Sequence, residues 1–353
     1  AGRRDFDISA LASLDQNSYA QLLPVLWPCP AGSRRSERLF ADGRFFTANG
    51  RAKMLAVTPR PPAQCADKSH DLVLNTGRAR DHWHTMTRTA KSPRLSAHTS
   101  EPFVALHPDD AVARGVEDGQ LAAVVGLPGR ALLRVQTSDA QPRGQVFAPM
   151  HWTDQFAAAA RIGSLVTADV DPLSGQPEFK HSPIRVEPYP ARWFGFLLSR
   201  SELQPLAASY WSKTRRSGVW HYEIAGESSP ETWAPSAREQ LGEDEADAHW
   251  LELHASTQRQ YRAARIVDGR LDAVLIVGPG RELPARDWLV GLFGHERLED
   301  ADRMHLLRGA PRSGLQDAGA IVCSCFSVGV NLSLIHISEP TRRATISRMP
   351  SSA

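Results

Sequence analysis

The sequence predicts a mainly β protein, in which a closed β-barrel is followed by a smaller α+β region. Between residues 71 and 188 the apolar residues fall into short runs, several of them separated by Asp-Gly or Pro-Gly pairs that favour tight turns. Many short strands with one or two short helices are typical of a closed barrel. In the later region, Asp268-Gly269-Arg270 lies between two apolar runs and predicts a hairpin.

The elements of the barrel can be placed in order along the chain. His107–Gly115 is predicted to be a short helix, because Pro108 suits a first helical turn and Gly115 suits a C-terminal cap. Apolar and polar residues alternate through 130–136, as they do in a half-buried strand. The predicted strands are 71–74, 104–106, 120–125, 130–136, 146–150 and 184–186.

The pattern changes on both sides of the barrel. Residues 9–23 are helix-like, and residues 38–54 carry Asp-Gly and Asn-Gly pairs that predict successive turns or hairpins. Residues 190–317 contain the runs 260–267 and 271–278 of the predicted hairpin and a helical run at 285–293. This region also holds most of the tryptophans, which we interpret as core residues: Trp193, Trp211, Trp220, Trp233, Trp250 and Trp288.

The composition argues against several classes of protein. A net charge of +2 is too small to indicate a nucleic-acid partner, and no apolar run is long enough to span a membrane. Four cysteines in 353 residues do not suggest a secreted disulfide framework, so a cytoplasmic setting is expected. The first residues lack an initiator Met and the apolar core of a signal peptide, and we expect that the chain was cut from a longer protein.

The segment after the first predicted strand is crowded with hydrogen-bond donors. Guanidinium groups bind phosphate oxygens bidentately, and Gly77 has no Cβ to block the approach of a ligand. The segment therefore predicts a loop that binds a polyphosphate or dinucleotide. The alternatives are a solvated basic face and a metal site at His82 and His84, although such a site would need a third ligand and its arginine neighbours would repel a cation. The donors are Thr76, Arg78, Arg80, His82, His84, Thr85, Thr87, Arg88, Thr89 and Lys91.

Asn75–Thr89 resembles the cofactor-binding signature in the C-terminal domain of molybdopterin-dependent oxidoreductases, specifically of assimilatory nitrate reductase catalytic subunits. The resemblance runs from about Phe6 to Asn331 and implies a double-psi β-barrel. In that family the loop would hold one of two molybdopterin guanine dinucleotides that chelate the molybdenum. The residues implied in contact with the cofactor are Arg78, His82, Trp83, His84 and Thr85, with Thr87 as a further donor and Thr76 and Gly77 presenting backbone.

Two further segments match the family. His151 and Trp152 align with a position that faces the pterin and the substrate funnel, although a Trp anchored at the barrel end beside a hydrogen-bonded His fits them equally well. Phe179 and Lys180 match an aromatic–lysine pair in which the lysine approaches the cofactor. The sequence departs from the family at Gly163, where relatives often place an Asn that hydrogen-bonds the pterin.

The last part of the chain combines two patterns. Cys323 and Cys325 resemble the start of a bacterioferritin-associated-ferredoxin-like (BFD-like) [2Fe–2S] domain, which needs four thiolates, so no stable cluster is expected here. Residues 332–342 resemble the conceptual translation of a sequencing-library adaptor. We therefore leave residues 332–353 out of fold reasoning and expect them to be disordered; the alternative is a genuine apolar strand followed by a Ser/Arg tail.

The resemblance implies five segments and a function. The parent enzyme would reduce nitrate to nitrite with electrons from ferredoxin, flavodoxin or an NADH-dependent partner. The family's [4Fe–4S] cysteine cluster and molybdenum-ligating cysteine do not occur in this sequence, so the fragment is predicted to be inactive. Alternatives are another enzyme with the same cofactor, such as a formate dehydrogenase or periplasmic nitrate reductase, and a free-standing nucleotide-binding module. The segments are a remnant of the catalytic core (1–67), the dinucleotide-binding barrel (68–192), the appended α+β region (193–317), the truncated [2Fe–2S] domain (318–331) and the adaptor-like tail (332–353).

Overall fold

Few of the described residues before residue 62 lie in helices or strands. The computed structural model divides the chain into two compact units, residues 1–61 and 62–353. In the first unit a 3₁₀ turn (Ser9–Leu11) and helix α1 (Gln16–Ala20) replace the single helix predicted at 9–23, because the Asp15 side chain caps α1 by accepting from the Ser18 amide. The described part of residues 38–56 forms turns and no strand. The described residues are 7–32, 38–56, 58–172, 174–203, 208–228, 233–242, 248–311, 321–323 and 328–329.

The second unit opens with a closed six-stranded barrel, which confirms the predicted fold class. Around the barrel the strands follow the order β1-β5-β2-β4-β3-β6, and each predicted strand is present within a few residues of its expected bounds. The elements are β1 (Leu72–Gly77), α2 (Pro93–Ser96), β2 (Phe103–Leu106), α3 (Pro108–Ala113), β3 (Leu121–Gly126), β4 (Arg130–Thr137), β5 (Gln145–Pro149) and β6 (Ser182–Pro188).

Strand directions in the barrel decide where its loops emerge. β1 pairs with β5 in parallel and with β6 in antiparallel orientation. Alternate residues such as Leu72 and Leu74 on β1 have no exposed surface and fill the interior, as the two-residue period of a strand requires. The segments that follow β1 and β5 and the segment that precedes β6 therefore meet at one end of the barrel.

The rest of the second unit is an antiparallel six-stranded sheet with helices on both faces, in the order β10-β11-β12-β7-β9-β8. Asp268 and Gly269 both have positive φ, as a two-residue hairpin turn requires, which confirms the hairpin. Trp193, Trp211 and Trp233 are buried in the core beneath one helix, as predicted for core residues. The elements are β7 (Trp193–Ser199), β8 (Tyr210–Arg216), β9 (Val219–Gly226), α4 (Trp233–Leu241), β10 (Ala248–Ala255), β11 (Gln260–Val267), β12 (Arg270–Gly278), α5 (Arg286–Leu292) and α6 (Asp300–Leu306).

Two short strands, β13 (Ile321–Cys323) and β14 (Val328–Gly329), pair in antiparallel orientation and place Cys323 opposite Val328. Cys325, the other predicted cluster ligand, lies outside the described residues, as does the adaptor-like tail. Among the helices that the structure describes, none combines the length and the apolar character needed to cross a membrane.

Candidate functional site

Three of the predicted segments meet at one end of the barrel. Gly77 is the register partner of Pro149, so the loops that leave β1 and β5 emerge side by side, and the Met150 amide donates to the Gly77 carbonyl at 2.8 Å. Leu74 faces Ser182 across the antiparallel pair, which brings the turn before β6 to the same end. Barrel topology thus assembles residues that lie more than 70 positions apart in sequence.

Thr76 fastens the turn before β6 to the end of β1. Its hydroxyl donates to the Phe179 carbonyl at 2.9 Å, and the Lys180 ammonium donates to the Thr76 carbonyl. The Thr76 side chain is buried and its hydroxyl is already committed, whereas Phe179 and Lys180 are exposed at the rim. Thr76 therefore holds the predicted aromatic–lysine pair in place, and the pair itself remains accessible.

His151 ties the donor-rich loop to the barrel at two points, Ala79 and His84. It has no exposed surface; its Nε2 accepts from the Ala79 amide at 2.8 Å and its Nδ1 lies 2.6 Å from the His84 carbonyl. An Nε2 that accepts leaves the proton on Nδ1, which donates to the carbonyl, so the ring is in its neutral form. Burial is the largest influence and lowers the pKa of His151. The hydrogen bond to the His84 carbonyl raises this pKa, and the positive charges nearby lower it.

His82 and Trp152 complete a buried aromatic floor with His151. His82 Nε2 donates to the Thr99 carbonyl at 2.8 Å, and its ring meets Trp152 edge to face with centroids 5.3 Å apart. All three side chains are at most 4% exposed, and within the described part of the chain neither His82 Nδ1 nor Trp152 Nε1 has a hydrogen-bond partner. For His151 and Trp152 the geometry agrees with the alternative of a Trp anchored at the barrel end beside a hydrogen-bonded His. The three side chains support the loop from below, and their contact with the cofactor stays a prediction.

The exposed surface of the loop is aromatic and cationic. The Arg78 guanidinium lies 4.7 Å from the centre of the Trp83 ring, and the Trp83 and His84 rings meet at 76° with centroids 4.7 Å apart. His84 and Met86 both adopt positive φ, at 44° and 61°, and Met86 is buried in the barrel core. This backbone path turns Trp83, His84 and Thr85 outward, and Thr87 is exposed beside them.

Two glycines differ in what their missing side chains leave open. A Cβ on Gly77 would lie 2.6 Å from the Phe147 ring, so this glycine accommodates Phe147. That Gly77 also allows the close approach of a ligand stays a prediction. A Cβ on Gly163 would meet nothing within 4 Å, so the position at which relatives carry an Asn has room for a side chain.

The donors of the loop are not all free for a ligand. Asp81 pairs with Arg80 at 3.0 Å and with His98 at 2.8 Å, and the hydrogen bond from Arg80 is the largest cause that lowers the pKa of Asp81. Arg78, Arg88 and Lys91 are exposed. Within the residues that the structure describes, no three His, Cys, Asp or Glu side chains are grouped to hold a metal, so the alternative of a metal site at His82 and His84 gains no support.

The sequence did not reveal the partners that hold the loop. The Ala79 amide, the Thr99 carbonyl and the Phe147 ring each determine its shape, yet a backbone group carries no distinctive residue type. Only His98 offered an indication, as a titratable residue shortly after the donor-rich segment.

Comparison with known proteins gives two kinds of match. The sequence profile of the molybdopterin dinucleotide binding domain matches residues 72–183, from β1 to the start of β6, and so includes every segment of the site. A nitrate reductase of Klebsiella oxytoca is 33% identical over 341 residues, which are 93% of this chain and 37% of that protein. The chain therefore spans a little over a third of that relative.

Other relatives match a smaller part of the chain. A nitrate reductase of Shewanella frigidimarina is 31% identical over 205 residues, 52% of this chain and 22% of that protein. The F420-dependent formate dehydrogenase subunit alpha of Methanocaldococcus jannaschii is 30% identical over 163 residues, 46% of this chain and 24% of that protein.

Proposed function

We propose that this chain, which belongs to the molybdopterin oxidoreductases through its dinucleotide-binding domain, is the cofactor-binding portion of a nitrate reductase that converts nitrate to nitrite. The observation that carries the proposal is the meeting of the Arg78–Thr87 loop, the aromatic floor and the Phe179–Lys180 pair at one end of the matched barrel. When bound, the cofactor would supply oxygen-atom transfer at molybdenum, and the protein supplies its binding and orientation.

The exposed residues suit an anionic dinucleotide. Arg78 offers a guanidinium fork for the pyrophosphate, and its stacking on Trp83 restricts the directions in which that fork can point. Lys180, which follows the exposed Phe179 in sequence, adds a cation at the rim. His84, Thr85 and Thr87 contribute further polar groups on the same loop. The buried floor fits the cofactor indirectly, because it fixes the loop that presents these groups.

The extent of the similarity supports a nitrate reductase over the other enzymes that use this cofactor. The match to the Klebsiella oxytoca protein covers 93% of the chain and thus includes the appended sheet, whereas the formate dehydrogenase match covers 46%.

We further propose the assimilatory type, a cytoplasmic setting, and electron delivery by ferredoxin, flavodoxin or an NADH-dependent partner. A [4Fe–4S] centre elsewhere in the parent enzyme and a [2Fe–2S] domain begun by Cys323 and Cys325 belong to the same proposal.

Retention of the cofactor tests the proposal. The full chain is expressed in a host that makes molybdopterin guanine dinucleotide, and the purified protein is assayed for oxidised pterin fluorescence and for released GMP. We expect both in equal amounts, and no nitrate reduction by the chain alone with reduced viologen. Nucleotide without pterin would favour a free-standing nucleotide-binding module. The absence of both pterin and nucleotide would contradict the proposal.

A matched pair of arginine variants locates the binding surface. Arg78→Ala removes a charge-assisted contact and should lower cofactor retention by about tenfold or more. Arg238→Ala is the control, because its guanidinium also lies 5.5 Å from a tryptophan ring centre, that of Trp250 on β10, at the edge of the appended sheet opposite β8. An equal loss in both variants would show that Arg78 has no special part in binding.

A further inference from the structure

Four consecutive residues join the donor-rich loop to the appended sheet. On the loop side, His98 pairs with Asp81 at 2.8 Å and the Thr99 carbonyl accepts from His82 at 2.8 Å. On the sheet side, Ser100 and Glu101 contact β8. The Ser100 carbonyl accepts from the Ser212 hydroxyl at 3.2 Å, and the Glu101 carboxylate accepts from the Tyr210 hydroxyl at 2.7 Å. Residues 98–101 therefore transmit the position of β8 to the loop.

β8 also contacts the segment that follows the aromatic floor. The Ala158 amide donates to the Trp211 carbonyl and the Lys213 amide donates to the Phe156 carbonyl, both at 2.8 Å. Ala157, which lies five residues after Trp152, pairs with Ser212 as an isolated bridge. The 3₁₀ turn at Thr89–Lys91 and helix α2, which end the donor-rich segment, lie against β8 as well.

The contacts between β8 and the barrel satisfy polar groups that would otherwise be buried without partners. β8 is an edge strand, and its second edge would leave backbone donors and acceptors unpaired if the 156–158 segment did not satisfy them. Tyr210 has no exposed surface, and Glu101 is held by Arg134 at 2.5 Å as well as by the tyrosine. Buried hydroxyls and charges are costly without partners, so each group here stabilises the position of the others.

We propose that β8 is a brace that positions the dinucleotide-binding loop, and that bracing is a role of the appended sheet. Tyr210 and Ser212 are then positioning residues: they hold residues 98–101, which in turn hold His82 and Asp81. The consequence for cofactor retention rests on the proposed function of the loop. The mechanical coupling does not, because it concerns only the shape of the loop.

Hydrogen exchange in the full chain, without cofactor, tests the coupling. Tyr210→Phe deletes one hydrogen bond to a carboxylate while keeping the ring, and such a bond shifts a local opening equilibrium by about tenfold or more. We expect about tenfold faster exchange of the amides in residues 79–92. Ser212→Ala deletes a neutral hydrogen bond to the same segment and should accelerate that exchange by about threefold.

Tyr222→Phe is the matched control. It removes a buried hydroxyl from the same sheet, where the partners are the amide and carbonyl of Leu203, outside residues 98–101. We expect it to leave exchange in residues 79–92 unchanged. The brace is overturned if both Tyr210→Phe and Ser212→Ala lower the melting temperature without accelerating the loop, or if Tyr222→Phe accelerates the loop equally.

The two proposals fail in different ways. Accelerated loop exchange in Tyr210→Phe, together with no pterin in the unaltered chain, would keep the brace and remove the proposed function. Retained pterin together with an unresponsive loop would keep the function and remove the brace. If both hold, Tyr210→Phe should also retain less pterin than Tyr222→Phe does.

Discussion

Substitution of His151 should reveal how strongly the loop is tied to the barrel. The ring makes two hydrogen bonds from opposite edges, accepting from the Ala79 amide and donating to the His84 carbonyl. His151→Gln places an amide oxygen near the position of Nε2 and keeps an acceptor for Ala79. His151→Asn places an amide nitrogen near the position of Nδ1 and keeps a donor for His84. His151→Ala keeps neither.

The expected losses follow from this count of hydrogen bonds. A neutral hydrogen bond contributes a net ~1 kcal/mol, and an unpaired buried group costs ~1–3 kcal/mol. His151→Ala leaves the Ala79 amide and the His84 carbonyl without their partner, so the free energy of unfolding should fall by ~2–4 kcal/mol. His151→Gln and His151→Asn should each lose about half of that amount, since each keeps one of the two bonds.

The pH dependence has a definite sign. Because burial lowers the pKa of His151 below its ordinary 6.5, the unfolded chain takes up this proton at a higher pH than the folded protein does. Stability rises with pH wherever the unfolded state binds more protons. The contribution of His151 is therefore complete above about pH 6.5 and is lost as the pH falls from there toward the folded pKa.

The assay is urea unfolding followed by tryptophan fluorescence at about pH 8 and about pH 5.5, on either side of the ordinary histidine pKa. His221 is also buried with a lowered pKa, but it is present in every variant, so its part cancels in the differences. His249→Gln, an exposed histidine on β10, is the control and should change nothing. If His151→Gln loses as much stability between the two pH values as the unaltered chain does, the tautomer and burial argument for His151 is wrong.

Two further predictions concern packing and charge elsewhere in the unit. Gly77→Ala places a Cβ 2.6 Å from the Phe147 ring and should destabilise the barrel by ~1–3 kcal/mol, a loss that Phe147→Leu in the same chain should largely relieve in urea unfolding. Glu223→Gln leaves the Arg286 guanidinium, now held at 2.8 and 2.9 Å, without its buried partner and should cost ~3–5 kcal/mol. Burial is the largest single influence and raises the pKa of Glu223, but Arg286 and His221 together lower it to about 2. This stabilisation should therefore be present above about pH 4.5 and be lost in acid, as unfolding at decreasing pH would show.

The sequence predicted those features that depend on local chemistry. Short apolar runs and turn residues located all six barrel strands, and Asp268-Gly269 located a hairpin, because both patterns act within a few residues. The arginine and tryptophan that the sequence singled out lie together on the exposed surface of the loop, and their part in binding stays a prediction. For His151 the sequence left two alternatives, a residue that faces the pterin and a hydrogen-bonded residue at the barrel end. Its partners could not be named, because they lie 72 and 67 residues earlier and the barrel register alone decides that they meet.

The buried residues of the candidate site stabilise the shape of the loop, whereas its exposed residues are the ones that a ligand can reach. His84 and Met86 hold a left-handed backbone, which costs ~1–2 kcal/mol for each residue with a Cβ, so the loop keeps its shape only if other contacts offset that cost. The bonds of His151 and the burial of Met86 supply those contacts before any ligand is present. A loop that is already ordered loses less entropy when it binds. On the proposed function, the affinity for an anionic dinucleotide should depend on the concealed His151 as well as on the exposed Arg78, and conservative substitutions of either should weaken binding for unrelated reasons.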